Sequence, residues 1–206
     1  NKNSQKKVRT VSLVLTQNCN LKCLYCYENH GRRKKEIMNF DVAKNAVNNY
    51  LTADDDFDIV LIDLFGGEPL LAFPLIKKIF EWTMQKSWKK KFHFFVGTNG
   101  TLLNDEMKTF FTDNRKYFSV SLSIDGNRAA HNLNRDNSYD LITPHLDFIK
   151  ANWPGQPVKM TISAETIPYA AESVIELEKM GLYFSANIVF EDIWGSPENK
   201  KALLKE

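Results

Sequence analysis

Val11-Ser12-Leu13-Val14-Leu15 runs directly into Thr16-Gln17-Asn18-Cys19-Asn20-Leu21-Lys22-Cys23-Leu24-Tyr25-Cys26. A β-rich apolar run thus ends in a polar loop carrying closely spaced thiols. The same sequence of strand, special loop and helix recurs downstream. Phe40–Tyr50 reads as a helix, with Asp41 in its first turn and Val42, Ala46, Val47 and Tyr50 on its apolar face. Ile59–Phe65 reads as a strand stopped by Gly66-Gly67-Glu68-Pro69. Pro74 then opens a helix that buries Ile76, Ile79, Phe80 and Thr83. Phe92–Val96 is a third strand, ending near Gly97, Asn99 and Gly100. Further units pair a helix at Asp105–Phe111 with a strand at Phe118–Ile124, and a helix at Tyr139–Lys150 with a strand at Val158–Ser163. A helix over Ala170–Met180, preceded by Pro168 and ended by Gly181, leads to a last strand at Tyr183–Phe190. Strands separated by helices require crossover connections, so the sheet is parallel and the class is α/β. An open doubly wound sheet and a partial barrel both satisfy that alternation. In either one, ligands bind at the carboxyl ends of the strands, where the cysteines, Gly66–Pro69, Thr98–Gly100 and Asp125 all fall.

The rest of the sequence limits the function. Its 206 residues, 43% hydrophobic and 25% charged, suit one globular domain with a sizeable core. Residues 1–10 read as an extension, 11–191 as the core domain, and 192–206 as a tail that starts a further region. Apolar runs are strand-sized and interrupted by charge, so no membrane segment is expected. The polar, basic start at Asn1–Arg9 shows no signal peptide, and a cytoplasmic location is expected. A net charge of +2 gives no electrostatic case for nucleic acid. The 3 Cys are odd in number and clustered, which argues for a metal site over a disulfide framework.

Cys19, Cys23 and Cys26 form C-x3-C-x2-C, short enough for one loop to deliver three thiolates to one metal centre. Two centres suit such a set. A four-iron cluster with three protein thiolates leaves one iron open to a small molecule. A structural zinc site would take His30 as fourth ligand, in a non-catalytic module. Buried inert thiols fit poorly, since the loop is polar.

With these motifs in place, the chain resembles the radical S-adenosylmethionine (SAM) superfamily. Cys19–Cys26 is similar to its C-x3-C-x-aromatic-C signature, and Gly66-Gly67-Glu68-Pro69 to its GGEP motif. Thr98–Thr101, Ser121–Gly126 and His131–Arg135 extend the likeness over roughly residues 10–190. The combination resembles the peptide- and protein-modifying branch, including anaerobic sulfatase maturases and thioether-forming maturases. The resemblance implies a partial (β/α)6 TIM-like barrel of parallel strands, a 4Fe–4S cluster on the three cysteines, and SAM on the open iron. Reductive cleavage of SAM would then give a 5′-deoxyadenosyl radical that takes hydrogen from a peptide or protein, with flavodoxin or ferredoxin as electron donor. A radical SAM enzyme acting on a small molecule or RNA is the alternative within the class.

The resemblance also implies roles for individual residues, none of them an acid or base, because the cofactors carry the radical chemistry. Gly66, Gly67 and Glu68 would receive the SAM amino group, and Arg135 its carboxylate. Ser123, facing away from Leu122 and Ile124, would meet the ribose or amino-acid part, with Ser121 as substitute. Tyr25 and Asn99 are candidates for the adenosyl side, and Val189–Glu191 for the adenine pocket. Leu21, Leu24 and Tyr25 would shield the cluster. Asp125 would face substrate or cap a turn. The runs Arg32–Lys35 and Lys89–Lys91 read as solvated loops, with docking of an acidic peptide as a second use for the first. Trp82 and Trp88 read as helix packing residues, and His93, His131 and His145 as structural. The maturases it resembles commonly carry auxiliary clusters in a cysteine-rich C-terminal domain, and no cysteine follows Cys26 here.

Overall fold

A computed structural model of the chain describes residues 6–30, 36–189 and 196–205. Residues 32–35 and 190–191, two stretches singled out from sequence, lie outside the described residues. The chain divides into two compact units, each assembled from separated segments.

The first unit (Asn1–Cys19, Arg33–Gly97 and Asn104–Val120) carries most of a four-stranded sheet. Its order is β1 (Val8–Thr16), β2 (Ile59–Gly66), β3 (Lys91–Thr98), β4 (Phe118–Leu122). The β1–β2 and β2–β3 pairs are parallel, with Leu13 opposite Leu64 and Leu64 opposite Val96. β1 begins at Val8, three residues before the strand start read from sequence. Backbone pairing needs no hydrophobic side chain, and Val8 and Arg9 pair Ile59 and Val60 while staying exposed. α1 (Phe40–Thr52) is capped by Asn39, whose side chain accepts the Asp41 N–H. It buries Ala43, Val47 and Leu51, while Val42 is left exposed. The apolar face is therefore turned by about one residue from the sequence expectation. α2 (Phe73–Met84) has Pro near its start and buries Ile76, Ile79, Phe80 and Thr83 as expected. Trp82 lies on this helix, whereas Trp88 lies beyond its end and donates its indole N–H to the Thr83 carbonyl at 2.8 Å. α3 (Asp105–Asp113) starts from an Asn104 cap. Between helices and sheet sits a ring cluster: Phe118 packs on Phe94, Phe80, Phe111 and Phe110 at centroid distances of 5.0, 5.2, 5.4 and 5.6 Å.

The second unit (Asn20–Arg32, Thr98–Leu103 and Ser121–Glu206) holds the parallel pair β5 (Val158–Ile162) and β6 (Phe184–Ile188). Beyond Leu122 the fourth strand contributes only an isolated parallel bridge from Ser123 to Lys159. The helix expected over Tyr139–Lys150 is divided at Pro144. α5 (Tyr139–Ile142) precedes a 3-10 turn at Thr143–His145, and α6 (Leu146–Asn152) follows. Proline removes a backbone donor and crowds the preceding turn, which forces the division. A six-residue 3-10 segment, Ala164–Tyr169, contains Pro168 and leads into α7 (Ala170–Lys179). α8 (Pro197–Lys205) is the last element. One helix has no counterpart in the sequence reading. Arg128–Asn134, here α4 in chain order, is too short and polar for a period to register, and only its Asn127 cap announces it.

Candidate functional site

In the first unit, the turn after β2 is clamped to the chain leaving β1. The Gly67 N–H donates to the Thr16 carbonyl and the Glu68 N–H to the Asn18 carbonyl, both at 2.9 Å. A Cβ on Gly66 would stand 2.2 Å from the Thr16 carbonyl oxygen, and one on Gly67 2.4 Å from that of Asn18. Both obstacles are backbone, so only glycine fits this pair. Glu68 is fully buried. Its Oε1 accepts the Leu70 N–H at 2.9 Å and caps the 3-10 turn Pro69–Ala72, with Pro69 at the first position. It is thus not a solvated surface carboxylate. Cys19 closes this unit, partly exposed.

In the second unit, Cys23 is buried and Cys26 partly exposed, joined by a turn in which the Cys26 N–H donates to the Cys23 carbonyl at 3.2 Å. The loop around them is bound to the end of α4 and the residues that follow it. The Leu24 N–H donates to the Asn134 carbonyl at 2.8 Å, and the Lys22 N–H to Asp136 Oδ2 at 3.3 Å. Leu21 is buried, Leu24 half-exposed and Tyr25 half-buried, so the apolar shield expected of this loop is uneven.

Tyr25, Asp125 and Arg135 meet in one cluster. The Tyr25 hydroxyl donates to Asp125 Oδ2 at 3.0 Å, and Arg135 Nε lies 2.9 Å from the same oxygen. This last contact is an ion pair without hydrogen-bond alignment, since the buried Nε lacks a hydrogen-bond partner. The Arg135 guanidinium also lies 5.4 Å from the centre of the Tyr25 ring. Burial raises the Tyr25 phenol, Arg135 opposes that rise, and Asp125 adds to it. For Arg135, burial works against the charge, but Asp125, Tyr25 and Cys23 together more than offset it and hold the guanidinium protonated. His131 accepts the Asp125 N–H at Nδ1 (3.2 Å), so its proton sits on Nε2, which meets Ser138 Oγ at 3.0 Å. Burial, and then Arg135, lower its pKa to about 3.

The remaining candidates are placed as follows. Ser123 is half-buried between fully buried Leu122 and Ile124, as alternation requires. Ser121 is buried, and its hydroxyl donates to the Pro157 carbonyl at 2.8 Å, so it is already engaged. Asn99 is buried in a small network: Nδ2 donates to Asn20 Oδ1 at 3.0 Å, and Oδ1 accepts the Thr101 N–H at 2.9 Å. It shapes the turn after β3. His93 meets Ser119 Oγ at 2.8 Å in the first unit. Sequence reasoning left Asp125 between two minor roles. Its four partners lie up to 100 residues away, and no local pattern announces them.

Among the described residues, no three His, Cys, Asp or Glu side chains are grouped to hold a single metal ion. A 4Fe–4S cluster takes each thiolate on a different iron. The donor chemistry fits such a group, with three free thiols on one short loop. No helix among the described residues is long and apolar enough to cross a membrane.

The Radical SAM superfamily profile matches residues 13–182. A cysteine-type anaerobic sulfatase-maturating enzyme from Clostridium perfringens is 33% identical over 132 residues, covering 61% of this chain and 35% of that protein. A GTP 3′,8-cyclase from Campylobacter jejuni is 28% identical over 145 residues, covering 69% of this chain and 43% of that protein. The solved structure described as native anSMEcpe with bound AdoMet and Cp18Cys peptide shares the fold. Its TM-score is 0.78 at 21% identity, over 98% of this chain and 58% of that one. The chain spans about a third of the length of the first curated relatives it matches.

Proposed function

The chain belongs to the radical SAM superfamily, and from that membership we propose that it is the cofactor-binding core of a peptide- or protein-modifying enzyme. Cys19, Cys23 and Cys26 would hold a 4Fe–4S cluster, which with SAM and an electron donor would supply a 5′-deoxyadenosyl radical for hydrogen abstraction from the substrate. The protein's part is ligation, orientation and exclusion of water. Gly66 and Gly67 let the backbone approach a ligand closely, and Glu68 accepts from the SAM ammonium group. Arg135, cationic and buried, receives the SAM carboxylate. The Ser123 hydroxyl meets the ribose or amino-acid part. Tyr25 lines the adenosyl side, and Asn99 holds the turn that borders it.

The observation that carries this reading is the pairing of two motifs at neighbouring strand ends. The cysteine loop leaves β1, and the glycine–glutamate turn leaves its parallel neighbour β2. Anaerobic reconstitution with iron and sulfide should give a brown protein that forms 5′-deoxyadenosine from SAM under a strong reductant. The Cys23→Ala variant should stay folded and colourless. A folded, cluster-loaded chain that makes no 5′-deoxyadenosine would sink the proposal, and one bound zinc with no visible absorption would replace it with a structural zinc module. The peptide assignment is supported by the sulfatase-maturating relative and by the peptide-bound structure of the same fold. Substrate trapping in extracts under anaerobic conditions tests it, with recovery of a nucleotide or RNA as the contrary result. Flavodoxin or ferredoxin is the proposed electron donor. The proposed location is cytoplasmic, where thiols are kept reduced for cluster assembly.

A further inference from the structure

We propose that Asp125 is a positioning residue: its single buried carboxylate fixes both the cysteine loop, through Tyr25, and the guanidinium of Arg135. The part concerning Arg135 and its ligand rests on the function proposed above. The part concerning the loop does not, because it refers to the chain before any cluster is bound.

A carboxylate that is 1% exposed is costly to bury unless its charge and lone pairs are answered. Asp125 answers them with groups from three distant places. Oδ1 accepts the Thr161 N–H of β5 at 2.9 Å. Oδ2 accepts the Tyr25 hydroxyl at 3.0 Å and faces Arg135 Nε at 2.9 Å. A residue that merely caps its own turn would bond within a few positions, as Asn127 does to the Ala130 N–H. The backbone N–H of Asp125 is itself taken by His131, a residue of α4.

Its partners form a platform under the loop. Tyr25 stands between Cys23 and Cys26, so a tether on its hydroxyl restrains both cysteines. The Leu24 N–H is held by the carbonyl of Asn134, the residue before Arg135. Asn134 is locked in turn: its Oδ1 accepts the Ser163 hydroxyl at 2.8 Å, and its Nδ2 donates to the Thr161 carbonyl at 3.1 Å. Ser138 donates its hydroxyl to the Arg135 carbonyl at 2.7 Å. Cysteine loop, α4 and the end of β5 therefore share one polar network, and Asp125 is its only carboxylate with both oxygens engaged among the bonds just named. With Nε turned to Asp125 and the ring of Tyr25 beneath it, the guanidinium keeps its remaining edge for an anionic group.

Two variants test this. Asp125→Asn keeps the size and the acceptor for Thr161 but removes the charge. Tyr25→Phe removes only the tether and keeps the ring. In the cluster-free, reduced chain, alkylation of buried Cys23 by iodoacetamide, located by peptide mass spectrometry, should rise about tenfold in Asp125→Asn, the scale of one hydrogen bond to a charged group. It should rise severalfold in Tyr25→Phe with little change in melting temperature. In the reconstituted chain, Asp125→Asn should bind SAM about tenfold more weakly at equal iron content, read from the perturbed spectrum of the reduced cluster. Unchanged Cys23 alkylation in Tyr25→Phe overturns the tether, and that variant decides the matter even where Asp125→Asn does not fold. Unchanged SAM affinity in Asp125→Asn overturns the positioning of Arg135. A wild-type chain that loads a cluster yet binds no SAM overturns the proposed function and the Arg135 part together, while the alkylation result still decides the tether.

Discussion

His131 shows how far a single side chain depends on its surroundings. In sequence it is, with His93 and His145, one of three His that show no metal-ligand spacing, and it reads as structural. In the fold it is fully buried, with one ring nitrogen accepting from Asp125 and the other meeting Ser138. Burial disfavours its charged form, and protonation would also put a second charge beside Arg135, so its pKa falls from 6.5 to about 3. The sign follows from linkage. The unfolded chain takes up a proton near its ordinary pKa, whereas the folded chain resists until about pH 3. Stability from this group is therefore present above about pH 6.5 and lost as pH falls through that window. The full difference is on the order of 5 kcal/mol. In His131→Gln, which keeps a donor and an acceptor, unfolding free energy measured by denaturant titration should fall less steeply between pH 6.5 and pH 4. The wild type should show an extra slope approaching about 1.4 kcal/mol per pH unit. Parallel curves for the two proteins would show that His131 titrates alike in both states. Asp125 makes the same point for the site itself. Its side chain was legible as polar and near a strand end, but its Tyr25 partner lies 100 positions away.

At the scale of elements, the strands and their terminal turns were the legible part. Alternation, β-branched residues and Gly-Gly-Glu-Pro are local signals, and β2 ends at Gly66 as they require. The reason those two positions are glycine was not legible, because it lies in the backbone of Thr16 and Asn18 across the sheet. Gly67→Ala should therefore destabilise the fold by about 1–3 kcal/mol through overpacking against backbone that has nowhere to move. It should also loosen the clamp on the cysteine loop. Chemical denaturation at pH 7 checks the first effect, and a wild-type midpoint would contradict the clash. The helices were less faithfully read. α1 turns Ala43 rather than Val42 to the interior, because a small residue packs where a helix approaches a sheet closely. The polar α4 depends on its Asn127 cap and on Ala130, His131 and Asn134 buried against neighbours. Period alone sees neither effect.

For the molecule as a whole, the ring cluster of the first unit concentrates buried apolar surface around one side chain. Phe118 is fully buried and touches four other phenylalanine rings. Phe118→Ala should cost about 3–5 kcal/mol, measured as a lower denaturation midpoint with an unchanged slope. A loss under about 1 kcal/mol would mean that the cluster repacks around the gap. By itself the sequence determined the α/β class, the strand ends that carry the motifs, and the position of the three-cysteine loop. These rest on signals within a few residues of one another: period, turn chemistry and cysteine spacing. Only the tertiary structure decided that Glu68 is buried and capping, that Ser123 rather than Ser121 keeps its hydroxyl available, and that Tyr25, Asp125 and Arg135 form one network. Each depends on groups far apart in the chain, and the cost of leaving a buried charge or hydroxyl unanswered is set only when folding brings those groups together.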